Sequence, residues 1–367
     1  MCFIILYLLK IASLFPKVSA DCKLSVKERL FPLAWHIFPW YTLQVSIFTG
    51  RFLVMKVMLF VLNPNAGTKK ANRYLAEILA TFNQADYTVV TVVTRASGDA
   101  TRAVAYYGPH VDLIVCCGGD GTFNETVNGL VQCGATTPIG YIPAGSTTDF
   151  AASLPLPTAP LEAAQAIARA TPVGYDIGKF GSRYFSYVAS FGAFTRTSYS
   201  TPQNVKNMLG HTAYILSGIS ELSQIRPIPM RLELDDGEII EDDFLFGAVS
   251  NSTSVGGILT LDPNQVDMRD GKFEILLVRA PKKLGELSEC IQALQSQKYN
   301  CQMITFRSAS HIRAIADPAL VWTLDGERAD GAAVIDIRNQ HQANRLMQEG
   351  EACLTLPSAT YPGARMF

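Results

Sequence analysis

The sequence predicts an α/β fold in two parts: an N-terminal doubly wound α/β domain and a C-terminal β-rich domain built as an antiparallel sandwich. Three observations carry that expectation. From Lys56 onward, short apolar runs alternate with helix-like stretches. These runs are unbroken and rich in valine and isoleucine, as in parallel strands covered on both faces. From Val173 the text changes to short runs separated by turn residues, as in antiparallel strands. The expected division is residues 1–54 as an appended apolar segment, 55–175 as the α/β domain, joined by 340–360, and 176–339 as the β-rich domain.

The elements follow in order. "VMLFVLN" precedes the helix-like "TKKANRYLAEILATF", "YTVVTVVT" precedes "GDATRAVAYY", "VDLIVCC" precedes "TFNETVNGLV", and "PIGYIP" closes the series before "TAPLEAAQAIARA". Ligands of such sheets bind beyond the carboxyl ends of the strands, where four special loops fall: Asn63–Gly67, Thr94–Asp99, Gly118–Thr122 and Pro143–Asp149. In the second part, "IPMRLELDDGEIIEDDFLFGAVSN" reads as a hairpin turned at Asp236 and Gly237. The strands "KFEILLV", "MITFRS", "HIRAIA", "ALVWTLDG" and "AAVIDIR" follow it. Two helices interrupt this part, one from Asn204 to Ile225 and an amphipathic one in "KLGELSECIQALQS".

The chain has 367 residues, 48% of them hydrophobic, enough to bury a large core. Lysine and arginine number 31 against 32 acids, a balance that points to no nucleic-acid partner and no polybasic membrane patch. The eight cysteines form no C-x-x-C pair and the five histidines lie far apart, which argues against a zinc site or a disulfide framework. Cys116 and Cys117 continue an apolar run and read as buried small hydrophobes in a reducing compartment. Residues 1–54 do not match the rest: "MCFIILYLLKIASLFPKVSA" imitates a signal peptide without a basic start. The stretch 31–50 has the length of a membrane span but is broken by Pro32 and Pro39. The working protein is expected to begin at Met55 or Met58.

"CCGGDGTFNETVNGL" is the stretch with the clearest chemistry. Gly118, Gly119 and Gly121 allow a tight turn and close approach of a ligand, while the helix starting near Thr122 aims free N–H groups and its positive end at the same place. That arrangement suits phosphate. Asp120 is then an odd neighbour for an anion unless a cation intervenes, so a magnesium bridge, direct or through water, is expected. Phe123, Val127 and Leu130 form the packing face of the helix, leaving Glu125 and Asn128 toward the crevice. A Gly-Asp-Gly turn on its own also suits an ordinary surface turn. No G-x-x-x-x-G-K-[ST] and no H-R-D occurs, which excludes P-loop enzymes and protein kinases.

"NPNAG", "GGDGTFNETVNGL", "PAGSTTDFA" and "WTLDGE" stand in the order and approximate spacing of the diacylglycerol kinase catalytic family, the bacterial soluble lipid kinases, which this chain resembles from Met55 to about Leu356. "GGDGT" is shared with NAD kinases; the combination is more specific. The resemblance implies ATP and Mg2+ as cofactors, with the nucleotide between the two domains. It implies that Asn63, Gly67, Thr94, Gly119, Thr122 and Gly145, with Gly118, Gly121, Glu125 and Ser146, line the nucleotide site. It further implies that Asp99, Asp120 and Asp149 form a water-linked magnesium network, and that Asp267, Asp270 and the Lys272 carbonyl form a structural magnesium site. Asp325 falls on the proposed general base, with Glu327 beside it. A strand turned sharply by Asp-Gly makes that role plausible, although a hairpin-turn acid and, for Asp267 and Asp270, solvated turn acids are the plainer readings. Where many relatives carry asparagine before the aspartate of the fourth loop, this chain has Thr148.

The resemblance thus implies phosphorylation of a lipid hydroxyl, most simply diacylglycerol to phosphatidate, in the cytoplasm at the inner face of the membrane. The lipid is the expected partner, no nucleic acid is expected, and a homodimer is compatible with the sequence. Other acceptors (phosphatidylglycerol, a sphingoid base, NAD) and a non-catalytic nucleotide- or lipid-binding regulator are the alternatives.

Overall fold

The computed structural model describes residues 56–145, 149–154, 156–193, 226–255, 259–283 and 301–349, with 285–286, 289–290, 292–293 and 299. All lie in the compact unit Met55–Phe367. The expectations for residues 1–54, for Ser146 and Thr148, and for a helix from Asn204 to Ile225 fall outside the described residues.

Strand β1 (Lys56–Leu62) pairs in parallel with β2 (Tyr87–Val93) and β3 (Leu113–Gly118), and β3 pairs in parallel with β4 (Ile139–Pro143). The unbroken apolar runs of β1 and β3 arise because both faces are covered. Met58, Phe60, Val115 and Cys117 pack with Ile78 and Phe82 of α1 (Leu75–Gln84) and Ile167 of α5 (Pro160–Arg169). Leu59, Val61, Ile114 and Cys116 pack on the opposite face with Val104 of α2 (Asp99–Tyr107) and Phe123 and Val127 of α3 (Asp120–Cys133). The short helix α4 (Asp149–Ala152) adds Phe150, whose ring lies 4.5 Å from that of Phe123. The adjacent cysteines therefore face opposite cores, both thiols free and buried, and burial drives the Cys116 thiol far above its ordinary range.

The β-rich part continues the same sheet. Strand β5 (Thr171–Phe180) pairs antiparallel with the C-terminal β17 (Val334–Gln348), and Leu346 of β17 pairs in parallel with Ile139 of β4. One 15-stranded sheet thus passes from the parallel to the antiparallel region through β17. The expected division at residues 175 and 176 falls within β5, and the C-terminal return is the long strand β17. Beyond it come β6 (Arg183–Phe185), β7 (Val188–Gly192), β8 (Ile228–Leu234) and β9 (Ile239–Ser250). The short strands β10 (Ser254–Val255) and β11 (Leu259–Thr260) pair only with each other. Strands β12 (Phe273–Arg279), β13 (Ile304–Ala309), β14 (His311–Ala316), β15 (Trp322–Leu324) and β16 (Glu327–Ala329) complete the set. Trp322 anchors their core, its ring 5.1 Å from Phe180 and 4.8 Å from Phe191.

Candidate active site

The loops that follow β1 and β2 converge with the first turn of α3 on a cleft of about 310 Å³, lined by Asn63, Asn65, Thr94–Ser97, Gly121, Thr122, Glu125 and, from the β-rich part, Glu327. Close backbone packing builds it. Gly67 has φ +49°, and a Cβ there would lie 2.3 Å from the Ala144 carbonyl oxygen, so the first and fourth loops can touch only with glycine at 67. Among the described residues a Cβ on Gly121 would meet nothing within 4 Å, which leaves room over the turn for a ligand to approach. Gly119 is the extended N-cap of α3 and no side chain caps the helix, so its first amides suit an anion. Asn63 donates to the Thr122 hydroxyl at 3.1 Å, tying the first loop to that turn.

Asp120, Asp149 and Asp325 gather at one end of this turn. An Asp120 oxygen accepts from the Asp149 amide at 3.0 Å, capping α4, and the Tyr141 hydroxyl lies 3.4 Å from the other. Burial first, then the nearby Asp149 charge, pushes Asp120 up to about 7. Asp325 reaches the same neighbourhood from residue 325 through a two-residue hairpin between β15 and β16. Asp325 and Gly326 both have positive φ, +49° and +84°, as the mirror-image hairpin turn requires. The turn aims the carboxylate inward, where it accepts from the Ser186 amide and the Asn124 side-chain amide at 2.5 Å each, and from the Tyr187 and Val188 amides at 3.0 Å each. These four bonds favour the ionised form, yet burial prevails and Asp325 is pushed up to about 6.

Other expected residues sit differently. Asp99 is engaged within its own loop: it accepts from the Arg95 and Ala96 amides at 2.7 and 2.9 Å and pairs with Arg102 at 2.5 Å. The Arg95 amide leads the causes that hold its carboxyl below the usual range. Glu125 borders the cleft, but its carboxylate accepts from the Ser97 hydroxyl (3.0 Å) and the Gly98 (2.8 Å) and Ala100 (3.1 Å) amides, so it caps α2 and holds the second loop. Glu327 is half-exposed, pairs with Arg183 at 3.6 Å, and faces Glu125 across the cleft. Gly118 and Gly145 shape the loops from behind: a Cβ on Gly118 would strike Thr122 at 2.6 Å, and one on Gly119 would come within 3.3 Å of the Gly145 Cα.

Asp267, Asp270 and Lys272 belong to a separate cluster. Asp267 and Asp270 each accept a local amide, from Arg269 and Lys272, and the Lys272 carbonyl accepts from Asn339 at 3.1 Å. Beneath them lies Asp176, fully buried, accepting from the Gly271 and Gln342 amides at 2.6 and 2.7 Å, from His341 at 3.0 Å and from Asn339 at 3.3 Å. Glu274, 2% exposed, is pushed up to about 8 by burial and then by Asp270, Asp267 and Asp176. Among the described residues its Oε2 and the Oδ1 atoms of Asn339 and Asn251 have no hydrogen-bond partner. Orphaned oxygens beside several acids suit a hydrated hard cation. Among the described residues no group of three His, Cys, Asp or Glu side chains grips a metal directly, so such an ion would be held through carbonyls and water. Asn124, Asp176, Asn251, Glu274 and Asn339 were not singled out by their sequence context. Glu274 could have been: it interrupts "KFEILLV" at a position facing the same core as Leu276 and Val278.

Comparison with known proteins agrees with this architecture. Residues 57–180 match the family model described as the diacylglycerol kinase catalytic domain, and residues 188–347 that of the YegS C-terminal NAD kinase beta sandwich-like domain. A Bacillus subtilis protein named diacylglycerol kinase is 33% identical over 275 residues, covering 74% of this chain and 90% of its own. The Staphylococcus saprophyticus protein of the same name is 30% identical, covering 73% and 87%. A crystal structure described as a diacylglycerol kinase from Bacillus anthracis superposes with a TM-score of 0.63 at 24% identity, covering 81% of this chain and 98% of that one, a likeness of fold.

A glycine-rich turn at a helix start beside clustered acids, at the strand ends of a parallel sheet that continues into a β-rich region, is the setting in which the matched kinase family models fall. The chain belongs to the diacylglycerol kinase catalytic family, a family of lipid kinases.

Proposed function

We propose that the protein transfers the terminal phosphoryl group of ATP to a lipid hydroxyl, converting diacylglycerol to phosphatidate, with Mg2+ as the divalent cation. The observation that carries this reading is the juxtaposition of Asp325 with Asn124, Asp120 and Asp149 at the edge of the amide-lined turn, although 201 residues separate Asn124 from Asp325. Phosphoryl transfer asks mainly for positioning and charge neutralisation. The α3 amides, the Thr122 hydroxyl and Asn63 offer donors to phosphate, and Gly121 lets the chain approach it. Mutual repulsion between Asp120 and Asp149 fits a site for a cation, held directly or through water. Magnesium there would screen both the acids and the phosphates. Asp99, occupied by its own loop, is left to shape that loop.

In the transfer itself the acceptor oxygen bonds to the γ-phosphorus, the bond from that phosphorus to the β,γ-bridging oxygen breaks, and ADP leaves. Asp325, pushed to about 6 and so largely ionised at neutral pH, is the carboxylate assigned to take the hydroxyl proton. Lipid acceptors would be presented at a membrane surface on the cytoplasmic side. Among the described residues no helix is long and apolar enough to cross a membrane.

Purified protein with labelled ATP, Mg2+ and separate acceptors (diacylglycerol, phosphatidylglycerol, a sphingoid base and NAD) tests the reading. Label in phosphatidate is the expected result. Label confined to another acceptor, or no transfer to any, would overturn it.

A further inference from the structure

We propose that Asn124 is a positioning residue for this reaction: it fixes the Asp325 carboxylate against the phosphate-binding helix, and Asn128 sets its orientation. The inference rests on the assignment of Asp325 above and deepens it.

Asn124 and Asn128 are four apart on α3 and therefore share a face. The Asn128 side-chain amide donates to the Asn124 Oδ1 and to the Asn124 carbonyl, each at 2.9 Å. With its oxygen so occupied, Asn124 can point only its NH₂ outward, and that group donates to Asp325 Oδ2 at 2.5 Å and lies 3.4 Å from the Tyr184 carbonyl. The reverse orientation would set the Asn124 oxygen against a carboxylate and its NH₂ against that of Asn128, losing both bonds. The two amides thus form a ladder with a single allowed direction, ending on the reacting carboxylate.

The other three donors to Asp325 are the backbone amides of Ser186, Tyr187 and Val188, all in the β-rich part. Among the described residues Asn124 is the only hydrogen-bond donor to Asp325 from the α/β part. It stands one turn along the helix that begins at Asp120 and carries the phosphate-binding turn. This bond consequently registers the proton acceptor against the phosphate. Asn124 is buried, on the helix whose Phe123 and Val127 enter the core, with Tyr184 and Asp325 of the β-rich part against its NH₂; an apolar residue would fill such a place as well but could not aim a carboxylate.

Steady-state transfer to diacylglycerol in mixed micelles, with thermal unfolding measured alongside, tests the role on N124A, N124D and N128A. For N124A we expect kcat to fall about 10²-fold, the size of loss that misplacing a reacting group produces, while KM for ATP changes less than about threefold and the unfolding temperature holds. N124D, which sets a second carboxylate against Asp325, should lose at least as much, and N128A about tenfold. A kcat for N124A within about twofold of wild type would overturn the proposal, as would parallel losses in kcat, ATP affinity and stability. If N124A does not fold, N128A decides the matter by the same split. Wild-type protein that labels another acceptor sinks the functional reading alone, because the split is then read with that acceptor.

Discussion

Asp236 and Asp325 each open an Asp-Gly pair that turns a hairpin in the same sheet, and their fates are opposite. Asp236 lies exposed between β8 and β9 in a loop of four residues, Asp235–Glu238, where among the described residues its carboxylate accepts only the nearby Glu238 amide. Asp325 lies in a loop of two residues and is 5% exposed, held by three amides and a side chain from distant segments. Both turns place their glycine at positive φ, but only Asp325 shares that conformation. What stands opposite differs as well: solvent for Asp236, and for Asp325 the bend at Ser186–Val188 with the α3 helix behind it. What fits Asp325 for the proposed role is a set of tertiary partners that the dipeptide cannot announce.

Replacing each acid is the harshest way to break the comparison. Asp325→Ala should lower phosphate transfer about 10³-fold, within the range of a lost proton acceptor, and Asp236→Ala should leave turnover within about twofold. Comparable losses in the two would mean that Asp325 is only a turn residue. The adjacent glycines, Gly237 (φ +88°) and Gly326 (φ +84°), sharpen the contrast. Alanine at either should cost about 1–2 kcal/mol in denaturant unfolding, the penalty for an L-residue in that region. Only Gly326→Ala should also reduce kcat, by about tenfold, through a shifted carboxylate.

This contrast also marks how far the sequence could be read. The central parallel strands β1 and β3 were legible because each carries an unbroken apolar run, and β1 shows why: Leu59 and Val61 serve one core, Met58 and Phe60 the other. The turn at Gly118–Thr122 was legible because glycines, an acid and a helix start coincide within five residues. The use of Glu125 and Asp99 was not. Both acids sit in the expected region but are taken by amides of the Arg95–Ala100 segment, a pairing set by how that loop folds over α3. Asp176 was equally hidden, since in "VGYDIGKF" nothing marks an acid that four donors from residues 271 to 342 will surround.

A smaller effect follows from burial of the acids. Asp120, Asp325 and Glu274 are raised to about 7, about 6 and about 8. Each holds its proton more tightly folded than unfolded. Their contribution to stability is therefore complete below pH of about 4, the ordinary carboxylate value, and is lost as pH climbs toward about 8. Protein stripped of divalent ions should lose a few degrees of unfolding temperature between pH 5 and pH 8, and MgCl2 should restore more at pH 8 than at pH 5. A magnesium effect independent of pH would remove the buried acids from the account of cation binding. Smallest of all, Glu125→Gln should raise KM for ATP about twofold to fivefold through a loosened second loop, with kcat nearly unchanged.

The central claim is that Asp120, from the α/β part, and Asp325, from the β-rich part, act in one reaction centre. A double-mutant cycle of Asp120→Asn and Asp325→Asn, measured as single-turnover phosphate transfer, tests it most directly. Groups that act as a unit are not additive, so the double variant should be about as slow as the slower single one. Losses that multiply, as for two independent sites, would contradict the claim.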